Sequence, residues 1–180
     1  DKARFISDPS KRKLVDYFFL QYQENVIPQL PYIRKSIIQN DANDWNVLTT
    51  DGVVSGIIDF GDMAYSCLIN ELAVALTYAL FDKEDPLSWA VPIIEAYHKV
   101  IPLQEKEIDL LYWLIAGRLC LSLVGSAWSR NKNPENEYIS VSEKQAWELI
   151  EKWISINPAK AIEVFRKAAD LSFDNPEPIT

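Results

Sequence analysis

Ile37-Ile38-Gln39-Asn40-Asp41-Ala42-Asn43-Asp44-Trp45-Asn46-Val47-Leu48 runs from apolar to polar and back within a dozen residues, and Ile57-Ile58-Asp59-Phe60-Gly61-Asp62 follows shortly after. The first stretch fits a loop between two short strands, with its polar residues clustered where the backbone turns. Between the two stretches lies Thr50-Asp51-Gly52, and Asp-Gly flanked by β-branched residues signals a hairpin turn. Val47 to Thr49 and Val53 to Phe60 are its expected arms, with Asp59 at the end of the second. The hairpin then gathers a carboxylate on a loop (Asp41), an amide at the loop's end (Asn46) and a carboxylate at a strand tip (Asp59). Such a set suits Mg²⁺-dependent phosphoryl transfer, because a hard cation takes a few oxygen ligands while keeping waters and phosphate oxygens. Asn46 and Asp59 fit the metal, and Asp41 is left to orient and deprotonate the attacking hydroxyl.

Outward from this segment the pattern is helical. Upstream, Leu14, Val15, Phe18, Phe19, Tyr22 and Val26 recur at three- and four-residue spacing, predicting a helix over 10–25 that Pro28 and Pro31 end. Downstream, helices are expected over about 70–82, 86–100, 104–129, 141–155 and 158–171, with Pro86, Asn157 and Pro158 at helix starts. Residues 131–138 read as a solvated loop and 174–180 as a tail. The expected organisation is one domain over 1–180: helix and linker (1–36), the two loops with their hairpin (37–63), a helical subdomain (64–173) and the tail.

Asp-x-x-x-x-Asn followed by Ile-Asp-Phe-Gly-Asp resembles the catalytic and metal loops of the aminoglycoside phosphotransferase and choline kinase-like family, distant relatives of protein kinases. Ile69-Asn70-Glu71-Leu72-Ala73 is similar to that family's acidic-Leu-Ala helix start. The wording of both loops looks most like the kinase-like domains fused to class III, PLP-dependent aminotransferases, or like hydroxylysine kinases. The resemblance implies an α+β, protein-kinase-like C-terminal lobe, mainly helical with one small β-hairpin. It also implies an ATP- or GTP-dependent kinase of a small hydroxylated, amino-bearing substrate, using Mg²⁺. Asp41 is then the catalytic base, and Asn46 and Asp59 hold the metal. Glu71 falls where the family places an acid that accepts from catalytic-loop N–H groups; it also reads as a helix N-terminal acid favoured by the dipole.

Two departures stand out. Gln39 occupies the place of the family's usual histidine, a group that braces the two loops, and a glutamine can still donate and accept. No glycine precedes Gly52, so a glycine-rich phosphate loop and its strand lysine are expected in an N-terminal lobe upstream of residue 1, in the same parent chain. A regulatory, non-catalytic kinase-like module is the alternative that these departures raise. A protein kinase fits poorly, since Asn40 stands where those relatives carry arginine before the catalytic Asp and no Ala-Pro-Glu follows.

Around the site, Asp44 and Asp62 are candidates to meet the substrate, and each also reads as an exposed turn acid. Arg118 interrupts an apolar run over 110–128 and needs an acid or carbonyls, with Glu71 or Asp62 as candidates, unless its head group snorkels to the surface. That run is long enough to span a bilayer, but a central arginine costs about 2.5–3.5 kcal/mol there; a helix buried all round is the better account. Trp113, Trp128, Trp147 and Trp153 read as core. His98, the single histidine, reads as a surface residue and excludes Ser-His-Asp and His-rich zinc chemistry.

Composition sets the outer bounds. With 180 residues, 48% hydrophobic and six tryptophans, the chain can bury one core. A net charge of −8 and a pI near 4.7 argue against nucleic acid or anionic membrane as partners. Cys67 and Cys120 lack metal or disulfide spacing, so a reducing cytoplasm is expected.

Overall fold

The computed structural model describes residues 2–132 and 139–171. The expected tail over 174–180, and most of the expected loop over 131–138, lie outside these residues.

Helix α1, Pro9–Asn25, begins where Asp8 caps it, its carboxylate accepting from Ser10 N (2.8 Å) and Lys11 N (3.2 Å). Proline at the first helical position costs nothing, because its missing N–H would be an orphan there. A 3-10 turn, Ile27–Tyr32, replaces the helix at Pro28 and Pro31. Strand β1, Lys35–Ile38, follows, then the hairpin β2, Val47–Thr50, and β3, Val53–Ile57. Asp51 (φ 51°) and Gly52 (φ 77°) form the turn, both left-handed as a tight two-residue hairpin requires.

Strand β4, Ala64–Cys67, pairs antiparallel with β1, from Lys35↔Cys67 to Ile38↔Ala64. The hairpin is therefore accompanied by a second ribbon, which closes the base of residues 39–63 and sets both loops side by side. β3 ends at Ile57, so Asp59 stands beyond the strand rather than at its tip.

The remainder is helical: α2, Ile69–Ala79; α3, Pro86–Val100; α4, Glu105–Lys132; α5, Ile139–Trp153; and α6, Pro158–Ala168. α4 is the axis, packed by α1, α2, α5 and α6. Leu111, Ile115 and Leu119 are fully buried along it. Its most apolar window is long enough to cross a membrane by length and composition, but 72% of that window is buried inside the protein. Trp153 on α5 stacks on Tyr112 of α4 at 5.2 Å, donating from Nε1 to Tyr112 O at 3.2 Å while Tyr112 donates back to Trp153 O at 3.0 Å. These bonds let two large polar-tipped rings lie in the core. Trp147 is buried too, whereas Trp113 and Trp128 are half-buried. Gly117 lets α1 approach, since a Cβ there would lie 2.9 Å from the Tyr22 ring. His98 is half-buried and accepts from Leu103 N at 3.1 Å, closing the end of α3.

One ion pair ties the ribbon to this axis. Glu107, fully buried on α4, accepts from Arg34 Nε at 2.9 Å and Nη2 at 2.6 Å, and from Gln104 N at 2.9 Å. Arg34 directly precedes β1, so the pair fixes where the chain enters the ribbon.

Candidate active site

Where β1 ends, the chain turns through Asn40 at φ 66°, a conformation asparagine tolerates better than most residues. The turn is held from three sides. Glu71, in the first turn of α2, accepts from Asn40 N at 3.0 Å, and Asn40 Nδ2 donates to Asp62 O at 3.3 Å. Gln39 spans the two loops: its Nε2 donates to Asp59 O (2.8 Å) and Ile58 O (3.3 Å), while its Oε1 accepts from Asp41 N (2.8 Å).

These bonds present Asp41, whose side chain is 18% exposed. Its Oδ2 accepts from Asn46 Nδ2 at 2.9 Å and Asn43 Nδ2 at 3.0 Å. Its Oδ1 accepts from Arg118 Nη2 at 2.7 Å and Tyr78 OH at 3.4 Å. Arg118 also donates to the Tyr78 oxygen at 2.9 Å. Burial pushes the Tyr78 phenol above its ordinary pKa, so the hydroxyl keeps its proton. Asn43 shapes the loop, its Oδ1 accepting from Trp45 N and Asn46 N.

Arg118 thus braces Asp41, not Glu71 or Asp62, and its head group does not snorkel to the surface. The apolar helix gave notice that this arginine needed an acid, but α4 and the loop meet only in the fold. Tyr78 carried no comparable sequence signal. Asp44 and the Asp62 carboxylate are exposed and make no hydrogen bond or ion pair among the described residues.

Asn46 is buried, and its amide nitrogen donates both to the Asp41 carboxylate and to Asp41 O at 2.9 Å. That leaves Asn46 Oδ1 without a hydrogen-bond partner among the described residues. Asp59, at φ 56°, is exposed, with Oδ1 accepting from Gly61 N at 3.2 Å and Oδ2 unengaged. Ile58 N donates to Asn46 O at 2.9 Å, linking the two ends of the set. Among the described residues no cluster of three or more His, Cys, Asp or Glu is placed to hold a metal. One unengaged amide oxygen and one exposed carboxylate instead fit Mg²⁺, which keeps most of its shell for water and phosphate.

A model of the phosphotransferase enzyme family matches residues 10–108, which contain all of α1 but its first residue, both ribbons, both loops and Glu71. The chain belongs to this family. It is 36% identical over 151 residues to a hydroxylysine kinase of Danio rerio, covering 77% of this chain and 42% of that relative. Hydroxylysine kinases of Xenopus laevis and Mus musculus are each 30% identical, over 93% and 91% of this chain and 48% and 46% of their own lengths. The chain spans less than half the length of each of these relatives.

Proposed function

We propose that this chain is the catalytic lobe of an ATP-dependent kinase that phosphorylates a hydroxyl of a small amine, with hydroxylysine the first acceptor to try and GTP an alternative donor. The observation that carries this reading is the fixed carboxylate of Asp41, set beside Asn46 and tied through Gln39 to the loop of Asp59. Asp41 orients the acceptor hydroxyl and takes its proton as the oxygen–phosphorus bond forms. The bond to the leaving ADP oxygen breaks, and that oxygen keeps the electron pair. Asn46 and Asp59 are the residues that would hold Mg²⁺, whose charge offsets that of the transferring phosphoryl group.

Gln39 favours the catalytic reading over a regulatory module, since it makes bonds to both loops that a decayed site has no reason to retain. Leu48, Val53, Val54 and Phe60 on and beside the hairpin are all exposed. These exposed apolar side chains, on both faces of the ribbon, support a second, nucleotide-gripping lobe packed around it. Buried thiols at Cys67 and Cys120 fit a reducing cytoplasm.

The test is to incubate the full-length protein with ATP, Mg²⁺ and a panel of hydroxylated amines that includes hydroxylysine. Equimolar ADP and phosphorylated acceptor are expected with at least one of them. ADP release that ignores every acceptor would count against the proposal.

A further inference from the structure

Asp41 already has four donors on its carboxylate, and an ionised carboxylate offers about four lone-pair sites. An acceptor hydroxyl can reach it only if one donor yields. Of the four, Arg118 alone also lines a cavity of about 690 Å³ between α1, α2 and α4. Phe19, Val74, Leu114 and Val124 make the walls largely apolar, and Asn40 lines it as well.

Within this cavity the Arg118 guanidinium is under-used. Its Nη2 serves Asp41 and Tyr78, but its Nε is buried with no hydrogen-bond partner, and Nη1 has none among the described residues. A buried donor left in this way is costly, and an anionic ligand group would satisfy it. Nη2 sits on Oδ1 of Asp41, whereas Asn46 holds Oδ2. The guanidinium therefore approaches Asp41 by the other oxygen from that of the metal-side amide, which assigns it to the acceptor rather than to the nucleotide phosphates. Lys2, the other cation on the cavity wall, lies over the Trp128 ring at 4.3 Å. Asp16 is the one carboxylate among the lining residues, a counter-charge for an ammonium on the same ligand.

We infer that Arg118 is the receptor for a carboxylate on the acceptor, so that the substrate class is hydroxylated amino acids rather than amino alcohols. Binding of that carboxylate draws the guanidinium towards the cavity and opens Oδ1 of Asp41 to the hydroxyl. Arg118 is thus a specificity-determining and positioning residue. This inference rests on the kinase reading.

The experiment compares kcat/KM of the full-length protein for a hydroxylated amino acid, hydroxylysine, and for its primary carboxamide, which keeps the hydroxyl and both amines. A charge-assisted contact predicts about a tenfold to hundredfold preference for the acid. Arg118→Gln should bring that ratio close to one, and Arg118→Lys should keep part of it. Equal kcat/KM for acid and amide in the wild type would overturn the inference and leave the kinase reading standing, whether or not the variants fold. A loss in Arg118→Gln of the same factor for both acceptors, with the preference intact, would also overturn it and point to the phosphoryl group as the arginine's partner. Transfer to neither acceptor by the wild type, with transfer to other hydroxylated amines, would overturn it as well; transfer to no acceptor at all would remove both.

Discussion

Asp41→Asn is expected to lower kcat about 10²–10⁴-fold, the range for losing a positioned general base, while nucleotide affinity changes little. The substitution keeps the shape of the side chain and removes its capacity to take a proton. Asparagine's amide nitrogen would also face the Nδ2 donors of Asn43 and Asn46, or the Arg118 guanidinium if it turned. A stability loss of about 1–3 kcal/mol should therefore accompany the kinetic one. Thermal unfolding measured beside the kinetics separates the two. A purely structural aspartate would shift the melting temperature and leave the turnover of the remaining folded protein near that of the wild type.

Arg34→Ala should be among the most destabilising single changes outside the apolar core, at about 3–5 kcal/mol. The reason is an asymmetry in the pair: the Arg34 side chain is 36% exposed and Glu107 is fully buried. Without the arginine, the otherwise buried Glu107 carboxylate keeps only the Gln104 N–H. Glu107→Gln should cost less, because Arg34 can turn to solvent and still reach Pro102 O, its partner at 2.8 Å. Chemical denaturation of both variants checks the order, and a melting temperature lowered by roughly 6–20 °C is expected for Arg34→Ala. If Glu107→Gln proved the worse of the two, burial would not be what sets the cost.

How much of this was legible in the sequence depends on the range of the interaction. The helices follow apolar spacing, with local side-chain caps at Asp8, Asp85 and Asn157 for α1, α3 and α6, and the hairpin follows Asp51-Gly52, because the deciding groups lie within a few residues of each other. The proximity of Asp41, Asn46 and Asp59 was legible for the same reason: Asp41 and Asn46 share one loop, and a two-residue turn returns the chain to Asp59. β4 was not, because four residues with no clear alternation become a strand only by pairing with β1, across the whole loop-and-hairpin segment. Arg118 is 77 positions from Asp41. Its burial in an apolar helix announced a need for an acid, but only the packing of α4 against α2 and the Asp41 loop selects which one. Tyr78 needed the same packing and had no marker in the sequence. Gln39 is a further case, since its chemistry allowed the bridging role and only the β1–β4 clasp brings Asp59 within its reach.

Metal-dependent phosphoryl transfer at the loop around Asp59 is tested most directly by the Mg²⁺ dependence of acceptor phosphorylation in the full-length protein, wild type against Asp59→Ala. Transfer by the wild type should require Mg²⁺, and Asp59→Ala should lower kcat/KM for the nucleotide about 10²–10³-fold while shifting half-saturation to higher Mg²⁺. Transfer without the metal, or an unchanged Mg²⁺ profile in Asp59→Ala, would contradict the account.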